Sequence, residues 1–244
     1  MVEITAVHPH SRGEKAGIRE GDILMSLNGR AVTDVLDYRF YLADKHLTVA
    51  LRRDGAPLTV EITKGEYDDI GLEFATPLMD KKHHCKNKCI FCFIDQLPRG
   101  LRKTLYFKDD DSRLSFLHGN YVTLTNIDEA EIERIISMHI TPINVSVHTT
   151  NPDLRVRMMK NPHAGKIMDY LAKFKAGGTH IRAQIVLCRG INDGDELLRT
   201  MRDLETFYPA LDSVSVVPAG LTKFRDGLFP LEPFTKEDCR AVID

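Results

Sequence analysis

Cys85, Cys89 and Cys92 form a C-x-x-x-C-x-x-C triplet, with Phe91 directly before the last thiol and no fourth cysteine nearby in the sequence. Three thiolates can hold three corners of a cubane [4Fe–4S] cluster and leave its fourth iron open to another ligand, which makes that iron a place for chemistry. His83 and His84 adjoin Cys85 and keep two other readings open, a Cys₃His zinc site and a redox cluster closed by an imidazole. A structural zinc usually ties two separated ligand pairs together. This triplet lies in one loop ahead of an α/β pattern, which favours the cluster and puts both histidines beside the loop.

Other polar residues recur at strand spacing. Ser146 and His148 are two apart at the end of an apolar run and share one side of a sheet. Arg182 and Gln184 are likewise two apart, and polar side chains facing a barrel lumen need partners or a ligand. The plainer reading of His148 is that it caps a helix or bonds a carbonyl. Arg155 and Arg157 read as solvated helix residues, Lys108 to Arg113 as a charged surface turn, and Pro98 to Lys103 as a basic loop. Asp193 reads as a helix cap. Cys188 and Cys239 are isolated and read as small apolar residues.

These groups must be positioned by two kinds of sequence. Up to about residue 65 the elements are short: alternating runs at Val2–Val7, Asp22–Leu27, Leu47–Arg53 and Leu58–Thr63, with Asn28-Gly29 and Asp54-Gly55 as turns and Asp34 capping a short helix. From about residue 76 strands alternate with helices. Strands are expected at Tyr121–Thr125, Ile143–Val147, Ile181–Leu187 and Val214–Val217. Helices are expected at Asp128–His139, Lys166–Ala176 and Gly194–Phe207, with a last one from Thr235. Such alternation implies parallel strands with crossover helices, in an open sheet or a full or partial barrel, with ligands at the carboxyl ends of the strands.

The chain of 244 residues carries a formal charge of −2, so no overall field points to nucleic acid or an anionic membrane. No apolar run of about 18 residues occurs, so no membrane span is expected. Five cysteines, three of them clustered, fit a reducing compartment better than a disulfide framework. The start, MVEITAVHPHSRGEK, does not read as a signal peptide, and a cytoplasmic protein is expected. The last helical pattern runs to Asp244 without a capping glycine or proline, as a fragment of a longer chain would.

Two resemblances follow from these residues. Gly13–Ile18 (GEKAGI), Gly21–Leu24 (GDIL), Leu27–Gly29 (LNG) and the helix near Asp34 resemble a bacterial PDZ domain. Such a domain normally opens with a glycine-hydrophobic loop that cradles a peptide carboxylate. Here Gly71-Leu72-Glu73-Phe74 has that character, which suggests a permuted domain with the loop at its end, its groove either binding a peptide or filled by the chain itself. Residues 83–97, HHCKNKCIFCFIDQL, resemble the radical SAM superfamily, in which S-adenosylmethionine chelates the open iron and is cleaved to a 5′-deoxyadenosyl radical. That resemblance marks Phe91 as the loop aromatic and puts Gly119 and Asn120 where a glycine-rich turn bonds the methionine amino group. Ser146 and His148 fall near ribose or carboxylate, and Arg182 or Gln184 touch cofactor or substrate. Asn120 and Tyr121 stand where an acidic residue is often found.

Taken together with the phrases Cys89–Asn126 and Ala183–Gly194, the chain resembles bacterial PDZ-containing radical SAM proteins that carry a further C-terminal domain of unknown function. The resemblance implies an α/β fold with a β-rich PDZ-like domain over 1–75 and an incomplete partial (β/α) barrel over 76–244. It also implies a [4Fe–4S] cluster, S-adenosylmethionine, a flavodoxin- or ferredoxin-type electron donor and a peptide or protein recruited by the PDZ-like part. It names no substrate. The competing expectation is a peptide-binding scaffold whose cluster or zinc is structural or carries electrons.

Overall fold

The computed structural model describes residues 2–244, which fall into two compact units, one ending at Lys82 and one running from His83 to Asp244. Strands β1 (Val2–Val7), β2 (Ile23–Leu27), β3 (Arg30–Ala31), β4 (His46–Arg53), β5 (Ala56–Thr63) and β6 (Leu72–Phe74) build the first unit around helices α1 (Arg12–Lys15) and α2 (Val35–Tyr41). The sheet runs β5-β4-β2-β1-β6, antiparallel throughout, with β3 folded back on β2. Both expected turns form, with Asn28 and Gly29 and then Asp54 and Gly55 at positive φ. Asp22 of the GDIL segment is buried and accepts two 2.7 Å bonds from the Arg53 guanidinium, which fastens the start of β2 to the end of β4. The Asp34 carboxylate caps α2 through the Leu36 and Asp37 N–H groups.

Gly71 to Phe74 lies beside that helix. β6 pairs with β1 and forms one border of the sheet, and the Phe74 ring meets Tyr38 of α2 edge-on at 5.0 Å between centroids. The chain then turns under α2, where Leu78 is buried and its carbonyl accepts from the Val35 N–H. Gly71 has φ of 79°, and a Cβ there would lie 2.4 Å from the Ser11 Cβ. Gly71→Ala is therefore expected to cost this unit about 2 kcal/mol or more in strain and clash, read as a lower urea midpoint. A midpoint equal to wild type would show that the loop yields freely.

In the second unit α3 (Ser112–His118), α4 (Glu129–Ser137), β7 (Ile143–Ser146), α5 (Pro152–Met159), α6 (Ile167–Ala176), β8 (Ile181–Leu187), α7 (Gly194–Glu205), β9 (Leu211–Pro218) and α8 (Lys236–Ile243) follow in turn. β7, β8 and β9 form an open parallel sheet with β8 central. Side chains such as Ile132, Ile135, Val145, Phe174 and Ile185 make its core, fully buried between helices and sheet. The Tyr121–Thr125 stretch forms no strand and joins the sheet only through a bridge from Val122 to Val145. Thr123 and Thr125 turn their hydroxyls to buried polar partners instead. Asp193 precedes α7 without capping it, because its carboxylate accepts from the Gly190 N–H. No helix among the described residues is long and apolar enough to cross a membrane.

Candidate active site

The thiols sit on an irregular loop that is pinned along its length. The Cys85 N–H donates to the Lys108 carbonyl, the Lys88 N–H to Met159 and the Ile90 N–H to Met158, which ties the loop to the last turn of α5. Between Cys85 and Cys89, the buried Asn87 side chain donates to the Thr123 hydroxyl and accepts from Thr125 and Asn161. Beyond Cys92, the buried Gln96 amide donates to the Cys92 carbonyl while its oxygen accepts from the Thr222 N–H. These bonds fix the thiol spacing before any ligand arrives.

All three thiols line one cavity of about 540 Å³. Phe91, Gly119, Asn120, Ser146, His148 and Gln184 line it too. Val186, Val217 and Pro218 place it at the carboxyl ends of β8 and β9, where parallel sheets collect ligands. Arg182 is not brought there. It shares a face with Gln184 but lies two residues, roughly 7 Å, nearer the amino end of the strand. Its half-exposed guanidinium faces Asp212 at 3.6 Å. His83 and His84 also stand apart from this cavity. His83 borders a smaller one of about 150 Å³, and the His84 ring packs on Phe107 at 4.3 Å. Among the described residues no three or more His, Cys, Asp or Glu side chains converge as a single metal ion requires.

The Lys108–Arg113 run is not the charged surface turn expected from its sequence: Asp109 is exposed, but Asp110 and Asp111 are buried. Asp110 accepts from the Thr123 N–H at 2.7 Å and from the Thr123 hydroxyl, and its burial raises its pKa. Burial acts to raise the Asp111 pKa, but its pairing with Arg113 at 2.7 Å, the His83 N–H bond and the nearby positive charge together lower it. Arg155 is not solvated either. It is 1% exposed and donates to the carbonyls of Val147, Ala164, Thr123 and Ser146, drawn from three segments. Among the described residues it bonds no carboxylate, and burial brings its pKa down to about 10, so the cation persists at neutral pH. Cys89 and Asp110 are the charges that act back on it.

A buried cation bonded only to carbonyls calls for an anion nearby, and a cluster held by three thiolates is one. Burial and mutual repulsion push the Cys89 thiol up to about 12, and burial also raises Cys85, so loading a metal group there releases protons. Lys108 lines the same cavity, and Asp95, 2.6 Å from its ammonium, together with Cys92 raises its pKa against the effect of burial. The donor set and its charge surroundings fit a cubane. The sequence carries no sign of the roles of Asn87 and Gln96, and Lys108, read there as part of a surface turn, instead lines the cavity.

His148 lies just past β7 with φ of 66° and is fully buried. The Val186 N–H donates to its Nδ1 at 3.2 Å, so the ring proton resides on Nε2, and Phe91 meets the ring edge-on at 4.6 Å. Burial, then the Arg155 charge, pushes its pKa down to about 3. Unfolding frees a proton site of ordinary affinity, so stability is lost as pH falls from about 6.5 toward 3, at up to about 1.4 kcal/mol per unit. Urea titrations across that range are expected to show the slope in wild type and to lose it in His148→Gln; an unchanged slope would assign it elsewhere.

A model of the Radical SAM-like domain matches residues 64–214, more than half of the chain, and a model of the PDZ domain matches residues 3–53. The chain belongs to the Radical SAM-like family, with a PDZ domain ahead of it. No curated protein matches the chain.

Proposed function

We propose that the protein is a radical SAM enzyme in which Cys85, Cys89 and Cys92 hold a [4Fe–4S] cluster and S-adenosylmethionine takes the open iron. The observation that supports this most is a single cavity lined by three thiols from one loop and by polar side chains at the ends of parallel strands. When bound and reduced, the cluster supplies the electron that cleaves a carbon–sulfur bond of S-adenosylmethionine, giving methionine and a 5′-deoxyadenosyl radical. Asn120, Ser146 and Gln184 offer hydrogen bonds to the polar groups of the cosubstrate. His148, neutral and fixed by Val186, donates from Nε2. Phe91 holds that ring in place, and Phe93 and Tyr121 at the cavity lining keep water from the reacting atoms.

The PDZ unit, read as permuted, recruits a peptide or protein to the border strand β6 beside α2, so a polypeptide is the proposed substrate class. A flavodoxin- or ferredoxin-type protein supplies electrons, and the cytoplasm supplies the reducing conditions that keep thiols free. The test is anaerobic reconstitution followed by dithionite reduction with S-adenosylmethionine. Production of 5′-deoxyadenosine is expected. A brown protein that makes none would be a scaffold with a structural or electron-carrying cluster, and a colourless one with a single zinc would sink the cluster altogether.

A further inference from the structure

Cys89 and Cys92 line two cavities. Besides the large cavity, they line a second one of about 360 Å³, bordered by Lys88, Lys108, Lys160 and Phe229. Among the described residues the sole carboxylate on that lining, Asp95, is already bonded to Lys108. Lys88 and Lys160 are exposed and have no ion-pair partner among the described residues. Their proximity follows from the backbone: the Lys88 N–H donates to the carbonyl of Met159, the residue before Lys160. Lys160 ends α5 in the left-handed conformation, where a cation suits the negative end of the helix. Phe229, 42% exposed, adds an apolar contact at the same mouth.

We propose that this lysine-bordered opening is the docking site of a small one-electron carrier protein with an acidic face around its redox group. The inference rests on the function proposed above, which consumes one electron per cleavage. If the large cavity is filled by cosubstrate and substrate, the second opening still leads to the same two thiols. The carrier's anionic flavin hydroquinone gives up one electron and becomes the neutral semiquinone. That electron enters the thiolate-held iron–sulfur group, and no proton changes hands. Two unpaired ammonium groups at the opening steer an acidic surface toward it and orient it there.

The test uses the full chain and a Lys88→Glu/Lys160→Glu variant, with an acidic flavodoxin as probe. At low ionic strength, reduction of the loaded protein by photoreduced flavodoxin is expected to be at least about tenfold slower in the variant, with most of the salt dependence gone. Photoreduction by free deazaflavin is expected to run equally fast in both. The dissociation constant of oxidised flavodoxin, which needs no cluster, is expected to rise by a similar factor. Equal flavodoxin rates, equal slowing with deazaflavin, or an unweakened dissociation constant would overturn the docking site. Weakened binding in a protein that never takes up iron would instead overturn the function on which it rests.

Discussion

Cys92→Ala protein, reconstituted without oxygen, is expected to keep only background iron–sulfur absorbance and to form no detectable 5′-deoxyadenosine. The side chain borders both openings onto the thiols, and two remaining thiolates cannot hold three corners of a cubane. Folding should survive, because the residue is only half-buried and its loop bonds through its N–H and carbonyl are kept in alanine; only the Sγ contact with Lys108 is lost. The urea midpoint is expected to move by less than about 1 kcal/mol equivalent. Cys239→Ala, half-buried on α8, serves as the control that keeps both iron and turnover. Iron content at the wild-type level with turnover lost would contradict the ligand role.

Arg155→Leu is expected to destabilise the second unit by about 3 kcal/mol or more. Leucine supplies no donor, and the carbonyls of Val147, Ala164, Thr123 and Ser146 are left in the interior with fewer or no partners. The same change removes the positive charge that acts on Cys89, so any protein that still folds is expected to load iron poorly. Arg155→Lys keeps the charge with fewer donors and should fall between the two. A urea transition in Arg155→Leu within about 0.5 kcal/mol of wild type would show that the buried cation is not a structural centre.

Much of this arrangement is legible in the sequence where the signal is local. Asp34, Asp128 and Thr235 cap the helices that follow them, and Thr235 forms a full capping box with Asp238. Asn28-Gly29 and Asp54-Gly55 mark turns because their backbone must enter the left-handed region. Ile181–Leu187 is a central strand with its inward positions buried, as its apolar alternation requires. The misreadings share a different cause. Tyr121–Thr125 reads as a buried strand, yet its threonines serve Asp110 and Asn87, well upstream in the chain. Nothing near Arg155 tells of the carbonyls that surround it. Arg182 and Gln184 are indistinguishable by alternation, and only the position of the cavity along the strand separates them.

The loop between Cys85 and Cys92 owes its shape to a helix terminus, since two of its amides are stitched to the final carbonyls of α5. Fraying of that last turn would therefore slacken the grip on iron well before the sheet itself melts. Hydrogen exchange at Lys88 and Ile90 should then report cofactor retention more faithfully than any global unfolding probe.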